Sequence, residues 1–193
     1  MNKNYLVAGV ITVVFFSTTA AVSGMPAPDV KPASDVAWLV IGIRPQNMRI
    51  EVKELRVKDG IVEGYHPFPL DMTMPIDGFI VFKAHPGITY GIVAASAMAN
   101  NRFFGIRYKA CHEMATFTAE GGKVVYFTTF NYYSSTGTEY PSQNIIETSY
   151  KGVNYTQDLE GAQAFLKLHY PKLDGELEQG NRPILPITHN SCF

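Results

Sequence analysis

The stretch "YKACHEMATF" places a cysteine, a histidine and a glutamate in consecutive positions, at Cys111, His112 and Glu113. These are the groups of a cysteine hydrolase, in which an imidazole takes the proton of the thiol and a third group orients the imidazole. On a strand, neighbouring side chains point to opposite faces, so His112 would not reach the sulfur of Cys111. Since no feature of the sequence selects a more distant histidine, we predict a structural role for Cys111 and assign no catalytic residue.

A disulfide is the structural role that best fits Cys111. The chain has two cysteines, Cys111 and Cys192, so a single intramolecular pairing exists, and it would tie the C-terminal "HNSCF" to the middle of the fold. An oxidising compartment would favour this bond, and a loop of about 80 residues stabilises a fold by about 4 kcal/mol through the entropy of the unfolded chain. Two free thiols, or a bridge between two chains, are the alternatives.

The sequence carries no recognisable metal or cofactor motif. Its histidines stand singly, without His-x-x-x-His or Cys-x-x-Cys spacing, at His66, His85, His112, His169 and His189. The glycine patterns of phosphate loops and dinucleotide folds do not occur, nor does the Gly-x-Ser-x-Gly elbow. We therefore predict no metal, no cofactor and no enzymatic activity. A hydrolase whose site is built from scattered residues is the alternative.

The strongest candidate for a binding surface is "FNYYSSTGTEYPSQ", residues 130–143. Tyr132, Tyr133 and Tyr140 flank a Ser/Thr/Gly segment, and recognition surfaces favour this mixture of aromatic and adaptable polar side chains. A glycan or an envelope protein would suit such a surface equally well. The alternative is structural: Tyr132 and Tyr133 end a strand, one turned inward and one outward, and the rest is a mobile turn.

The first residues have the organisation of a secretory signal peptide, whose apolar part is expected to form a helix. Lys3 is followed by an apolar run from Tyr5 to Phe16, then by the small residues "STTAAVSG" and a proline-broken "MPAPDVKP". The run is about a dozen residues, shorter than the roughly 18 to 20 that span a bilayer. We predict cleavage after Ser23 or Gly24 and a periplasmic or secreted location. An uncleaved N-terminal anchor, which would bring the protein to a membrane, is the alternative.

The length and the net charge of the chain further limit which fold and which partners can be expected. The chain has 193 residues, of which 46% are hydrophobic and 17% charged, enough apolar surface for one well-cored domain. Its formal net charge is −1, and no block of like charge is present to hold a phosphate backbone. We therefore expect no nucleic-acid partner and a single domain over residues 36–193, preceded by a signal peptide (1–24) and a Pro-rich linker (25–35).

The pattern after the linker is mainly β. The run "VAWLVIGI" (36–43) predicts a strand buried on both faces with a tryptophan in the core, and "MRIEVKELRV" (48–57) predicts a half-exposed strand that pairs with "IVEGY" across a Lys-Asp-Gly turn. "MATFTA" and "KVVYFTTFNYY" are expected to form a hairpin across "EGG". About eight or nine short strands with frequent turn signals indicate an antiparallel β-sandwich.

One segment predicts a helix instead. "TQDLEGAQAFLKLHYP" has apolar residues at helical spacing, so we predict a C-terminal α-helix over residues 156–170. Thr156 or Asp158 would cap its start and Pro171 would stop it. The chain beyond this helix is expected to be mostly loop.

The phrases "GFIVFKAHPGITYGI" and "TFTAEGGKVVYFTTF" resemble the small exported β-sandwich domains of uncharacterised bacterial envelope proteins. The phrase "YTQDLEGAQAFLKLHYPKL" is similar to the C-terminal helix that some of them carry. The resemblance covers residues 78–172 and implies a fold and a compartment, but no activity and no catalytic residues. Many such proteins are lipoproteins, whereas this chain has no cysteine just after its apolar run, so lipid anchoring there is not expected.

Together, these observations predict a soluble exported envelope protein with a non-enzymatic binding or structural role. An open strand edge or the tyrosine segment would contact a protein partner. If the N-terminal segment is retained, a membrane-tethered subunit of an envelope assembly is the alternative.

Overall fold

A computed structural model describes residues 32–66, 74–99, 102–139, 146–173, 176–188 and 192. The predicted signal peptide with its helix, and the linker up to residue 31, lie outside these residues. Within them the fold is mainly β, as the pattern predicts, with one helix. The elements are β1 (Ala37–Arg44), β2 (Met48–Lys58), β3 (Ile61–Tyr65), β4 (Phe79–Ala84), β5 (Thr89–Ala99), β6 (Arg102–Lys109), β7 (Glu113–Thr118), β8 (Val124–Glu139), β9 (Ile146–Thr156), α1 (Leu159–His169), β10 (Leu177–Gln179) and β11 (Ile184–Pro186).

The first strand is buried on both faces, as its continuous apolar run predicts. Leu39 and Ile41 belong to the core between the two sheets, while Trp38 and Val40 face the opposite side and pack in the cluster that contains α1. A strand without a polar face must be covered on both sides. β1 is therefore covered on both sides, by the larger core cluster on one and by the cluster that contains α1 on the other.

Sheet one has the order β10-β8-β1-β4, with β9 also pairing with β8. β1 runs antiparallel to β4, and β8 runs antiparallel to β9. However, β8 is parallel to both β1 and β10, so the expectation of antiparallel strands does not hold throughout. These pairs are far apart in sequence and no hairpin turn constrains their direction.

Sheet two has the order β11-β7-β5-β2-β3, with β6 also pairing with β5. The predicted hairpin of β2 and β3 is present, and its turn places Asp59 and Gly60 at positive φ. An isolated parallel bridge joins Val62 of β3 to Ile187, just beyond β11. Because β3 and β11 lie at the two ends of the strand order, this bridge curls the sheet into a nearly closed barrel, whose interior holds a cluster that includes Leu55, Val62 and Met114.

The helix begins and ends inside its predicted range. The carboxylate of Asp158 accepts a hydrogen bond from the backbone N–H of Gly161 at 3.0 Å, so Asp158 rather than Thr156 is the N-cap. Asp158 also pairs with Arg44 at 3.4 Å, which joins the start of α1 to the end of β1. At the last turn of α1, Nε2 of His169 lies 2.7 Å from a carboxylate oxygen of Asp77.

The predicted hairpin across "EGG" is wrong, because β7 and β8 belong to different sheets. β7 pairs with β5 and β11, whereas β8 pairs with β1, β9 and β10. Gly121 packs so closely against the backbone carbonyl of Ser34 that a Cβ at this position would collide with it, and the N–H of Gly122 donates to the carbonyl of Val36 at 2.7 Å. The two glycines thus carry the chain past the start of β1 and into sheet one.

The segment after α1 is more ordered than expected, and it accounts for the strands beyond the predicted eight or nine. Its first part, β10, pairs with β8 in sheet one, and its second part, β11, pairs with β7 in sheet two. The N–H of Ile187 then donates to the carbonyl of His112 at 2.8 Å. Beyond it, Cys192 is joined to Cys111 in a disulfide with the two Cα atoms 4.1 Å apart. The C-terminal segment therefore links the two sheets.

No helix among the residues described above has both the length and the apolar character that crossing a bilayer requires.

Candidate functional site

A groove lies at the end of β1, where the chain turns towards β2. We call it the tyrosine groove. Its volume is about 750 Å³, and it is lined by residues 131–134 of β8, by Ala97 of β5, and by Arg44, Pro45, Asn47 and Met48. Two of the three tyrosines predicted for a binding surface, Tyr132 and Tyr133, lie in it. Tyr140 lies outside the described residues.

The groove exists because β1 and β8 differ in length. The last residue of β1 in register with β8 is Arg44, opposite Asn131, whereas β8 continues to Glu139. Because β1 and β9 both pair with residues 129–131 of β8, they lie on opposite edges of it. Beyond Asn131, no strand of the described part of the chain pairs with β8 on the side of β1, so its backbone edge opens onto the groove.

The two tyrosines alternate, as neighbouring residues of a strand must. Tyr132 is half-buried against the core between the sheets. Tyr133 faces outward and is 52% exposed. The segment that follows does not begin as the mobile turn of the structural alternative, since β8 extends through Glu139 and pairs with β9 over its whole second half.

The ring of Tyr133 lies on the backbone of the neighbouring strand. Tyr133 is in register with Gly152 of β9. A Cβ built at Gly152 would collide with the hydroxyl end of the Tyr133 ring, so the ring crosses the space that any other side chain would occupy. The glycine thus lets the hydroxyl end of the ring approach the backbone of β9, while about half of the tyrosine remains accessible.

The polar side chains of the groove differ in how many hydrogen bonds and ion pairs they already make within the protein. The amide nitrogen of Asn131 donates to the carbonyl of Thr129 at 3.2 Å and to the hydroxyl of Thr156 at 2.8 Å. Its amide oxygen accepts no hydrogen bond from the described residues. The guanidinium of Arg44, in contrast, is turned towards Asp158 and packs over the ring of Phe79 at 5.4 Å, so it forms part of the wall.

The Cys-His-Glu stretch lines a second, smaller groove. Tyr108, Lys109, Val153, Tyr155 and Ile184 line it together with Cys111, His112 and Glu113, and its volume is about 360 Å³. The three residues do not form one continuous strand, because β6 ends at Lys109 and β7 begins at Glu113. Both sulfurs are at disulfide distance, so Cys111 has no thiol to act as a nucleophile in this structure.

Two tyrosine hydroxyls form the inner part of this second groove. Those of Tyr108 and Tyr155 lie 3.4 Å apart, and the guanidinium of Arg182 stands 5.9 Å from the ring centre of Tyr155. Burial is the main cause that raises the pKa of both tyrosines above that of a free phenol, and the neighbouring Tyr155 raises the pKa of Tyr108 further. Both groups therefore remain neutral hydrogen-bonding groups at neutral pH.

We expect alkaline solution to destabilise the fold through these tyrosines. Their folded-state pKa values are raised above the unfolded value of about 10, so their contribution to stability is fully present below about pH 10 and is lost as the pH rises further. Each such group lowers the free energy of unfolding by about 1.4 kcal/mol per pH unit in this range. Urea unfolding at pH 9 and pH 11 measures the decline. Tyr108→Phe should reduce it, and an equal decline in the variant would contradict the assignment.

The histidines serve no common site in the described residues. His66, His85 and His112 are exposed, and His189 lies outside the described part. His169 has a carboxylate partner, Asp77, which is how catalytic imidazoles are often oriented, but no hydroxyl or thiol of the described residues hydrogen-bonds to its ring. Among these residues, no three His, Cys, Asp or Glu side chains lie together as metal ligands would.

A third groove, of about 360 Å³, lies beside Lys123, at the start of β8. The ammonium group of Lys123 pairs with carboxylates of Glu120 at 3.0 Å and Glu178 at 3.1 Å. These pairs raise the pKa of Lys123. Since the cation is already paired on both sides, this groove offers a ligand less than the tyrosine groove does.

Sequence reasoning missed the five lining residues of the tyrosine groove that lie outside the predicted segment: Arg44, Pro45, Asn47, Met48 and Ala97. Asn47 and Ala97 are distant from the tyrosines in sequence, and only the pairing of β2 with β5 brings them to the same end of the fold. Gly152 carried a signal, because a glycine inside a strand often marks a close approach of another group.

The chain matches none of the protein-family models against which it was compared, and no curated protein is significantly similar to it.

Proposed function

We propose that this protein is exported and that it binds a component of the cell envelope in the tyrosine groove, without catalysing a reaction on it. The observation that carries the proposal is the position of the groove. The exposed Tyr133 and the open edge of β8 are brought to one place of about 750 Å³, which is the size of a small-molecule or peptide site.

Export is supported by the N-terminal pattern of one cation, a short apolar run and small residues, which is typical of a cleaved signal peptide. The disulfide between Cys111 and Cys192 supports the same compartment, because such bonds persist in oxidising surroundings. In this proposal the two sheets form a β-sandwich, and α1 covers the outer face of sheet one. The cluster that α1 covers includes Val124 and Tyr126 of β8 but not Tyr133, which stays exposed in the groove.

Substitutions at the rim of the groove test the proposal. Asn47 and Ser134 are exposed, so Asn47→Arg and Ser134→Arg should fill the groove with a long charged side chain without disturbing the core. The wild-type protein should sediment with envelope fragments from its native host, and both variants should stay largely in the supernatant. The matched control is Leu168→Arg, which adds the same charge to an exposed position on α1.

The sedimentation experiment has a required control result and two results that would contradict the proposal. The control variant must sediment like the wild type, since Leu168 lies outside the groove. If the wild-type protein does not sediment, or if the two groove variants sediment as well as the control, the groove is not the binding site.

A further inference from the structure

The tyrosine groove contains a ring that already lies against the sheet before any ligand arrives. Tyr133 rests on the backbone at Gly152, and its remaining surface, about half of the residue, faces solvent. An exposed tyrosine on a strand usually retains several rotamers, and fixing one of them on binding costs entropy. Contact with the sheet removes part of this cost, so Tyr133 is organised to receive a flat apolar surface.

From this geometry, and resting on the proposed function, we infer that the ligand is a polysaccharide chain of β-linked pyranoses, one ring of which stacks on Tyr133. Rings whose substituents are all equatorial present a broad C–H face above and below the ring. The electron-rich face of a phenol attracts such C–H groups, and the contact also removes apolar surface from water.

The remaining groups of the groove suit the rim of a sugar, which carries hydroxyls that both donate and accept. The amide oxygen of Asn131 accepts no hydrogen bond from the described residues, while its nitrogen is fixed by Thr129 and Thr156. Asn131 and Tyr133 lie on the same face of β8, two residues apart. A hydroxyl at the edge of a stacked ring can therefore donate to Asn131, and the exposed Asn47, which lines the same groove, adds a further donor and acceptor.

An extended peptide is the competing ligand, because the open edge of β8 could accept it as an additional strand. Such a strand would be recognised through the backbone beyond Asn131 and would not require the outward face of Tyr133. The arrangement of Tyr133 over Gly152 would serve a stacked ring, whereas an added strand would make no use of it. We therefore favour the sugar and treat the peptide as an outcome of the test.

Titration with defined oligosaccharides tests the inference directly. Chitohexaose and cellohexaose are β-linked and have equatorial substituents, whereas maltohexaose has the α-linkage and coils. Isothermal titration of the full mature protein should show saturable binding to at least one of the first two. Maltohexaose should bind at least about tenfold more weakly, a difference of about 1.4 kcal/mol.

Three variants then locate the contact. Tyr133→Ala should weaken binding of the oligosaccharide by about tenfold or more, and Tyr133→Phe should retain it, because the ring persists. Gly152→Ala should weaken binding as much as Tyr133→Ala, although the residue need not touch the sugar, because the new methyl group displaces the ring. The ring is exposed and can swing away, so Gly152→Ala should keep the melting temperature of the wild type. Leu168→Ala is the neutral control.

The inference fails if neither β-linked hexasaccharide binds, or if Tyr133→Ala and Gly152→Ala bind them like the wild type. Its failure is separable from that of the proposed function. If sedimentation with envelope fragments depends on the groove but no oligosaccharide binds, the sugar is excluded, an added peptide strand becomes the favoured ligand, and the function stands. If sedimentation does not depend on the groove, the function itself is wrong.

Discussion

Removal of the disulfide is expected to cost about 4 kcal/mol of the free energy of unfolding. The bond joins Cys111 to Cys192 across a sequence separation of 81, and opening a ring of this size restores a large conformational freedom to the unfolded chain. Cys192→Ala should show the whole effect in urea unfolding, because either sulfur alone leaves the ring open. Cys192 is exposed, so its removal leaves no cavity that would add to the loss.

Reduction of the wild-type protein is the matched control, since it opens the ring without changing a residue. It should lower the stability to that of Cys192→Ala, and the variant itself should not respond to reductant. The intact mass of protein from the native host checks the bond independently, because reduction adds two hydrogen atoms, and the same measurement reports cleavage after Ser23 or Gly24. A wild type whose unfolding is unchanged by reductant would contradict the prediction.

Phe165→Ala is expected to cost about 3 to 5 kcal/mol, as truncations of buried aromatic residues do. Phe165 is 4% exposed, stacks on Phe79 with ring centres 5.2 Å apart, and contacts Tyr170 at 5.8 Å. The contact with Phe79, a residue of β4, attaches α1 to sheet one. Urea unfolding followed by circular dichroism measures the loss, and the emission of Trp38, which is buried in the same cluster, reports whether the helix side opens.

The control for this prediction lies on the same helix. Leu168 is 72% exposed, so Leu168→Ala should change the free energy of unfolding by less than about 0.5 kcal/mol. A loss at Phe165 no larger than that at Leu168 would mean that α1 does not depend on this cluster for its attachment.

The elements that local chemistry determines were predictable. The uninterrupted apolar run of β1 requires burial on both faces, and the Lys-Asp-Gly turn between β2 and β3 needs the positive φ that Asp59 and Gly60 adopt. The helix could be placed because Asp158 caps it and Pro171 follows its end. In each case the residues that decide the structure are close neighbours in sequence.

Long-range pairing was not predictable from the same signals. A glycine turn between two apolar runs predicts a reversal of the chain, but it does not specify whether the two runs share a sheet. At "EGG" the deciding contact is with Ser34 and Val36, far earlier in sequence. The short strands β10 and β11 escaped prediction because their pairing partners, and not their own composition, make them strands.

The candidate site was also predictable only where neighbouring residues in the sequence determine it. Strand alternation determines that Tyr132 and Tyr133 face opposite sides of the sheet. The mixture of aromatic and polar residues indicated that their segment is a candidate binding surface. The sequence could not reveal that β1 ends opposite Asn131 and leaves the edge of β8 open, because that depends on the register between two strands. Nor could it reveal which strand would bring Gly152 under Tyr133.

The C-terminal segment imposes an order on folding. β10 completes sheet one, β11 and Ile187 bring the ends of sheet two together, and Cys192 follows them. A polypeptide that emerges with its N-terminus first, from a ribosome or through a narrow conduit, therefore cannot finish sheet one before residue 179 has been released, or sheet two before residue 187. Until those last strands arrive, the part of the chain that was synthesised earlier stays incompletely folded, and it can still be passed through a narrow conduit.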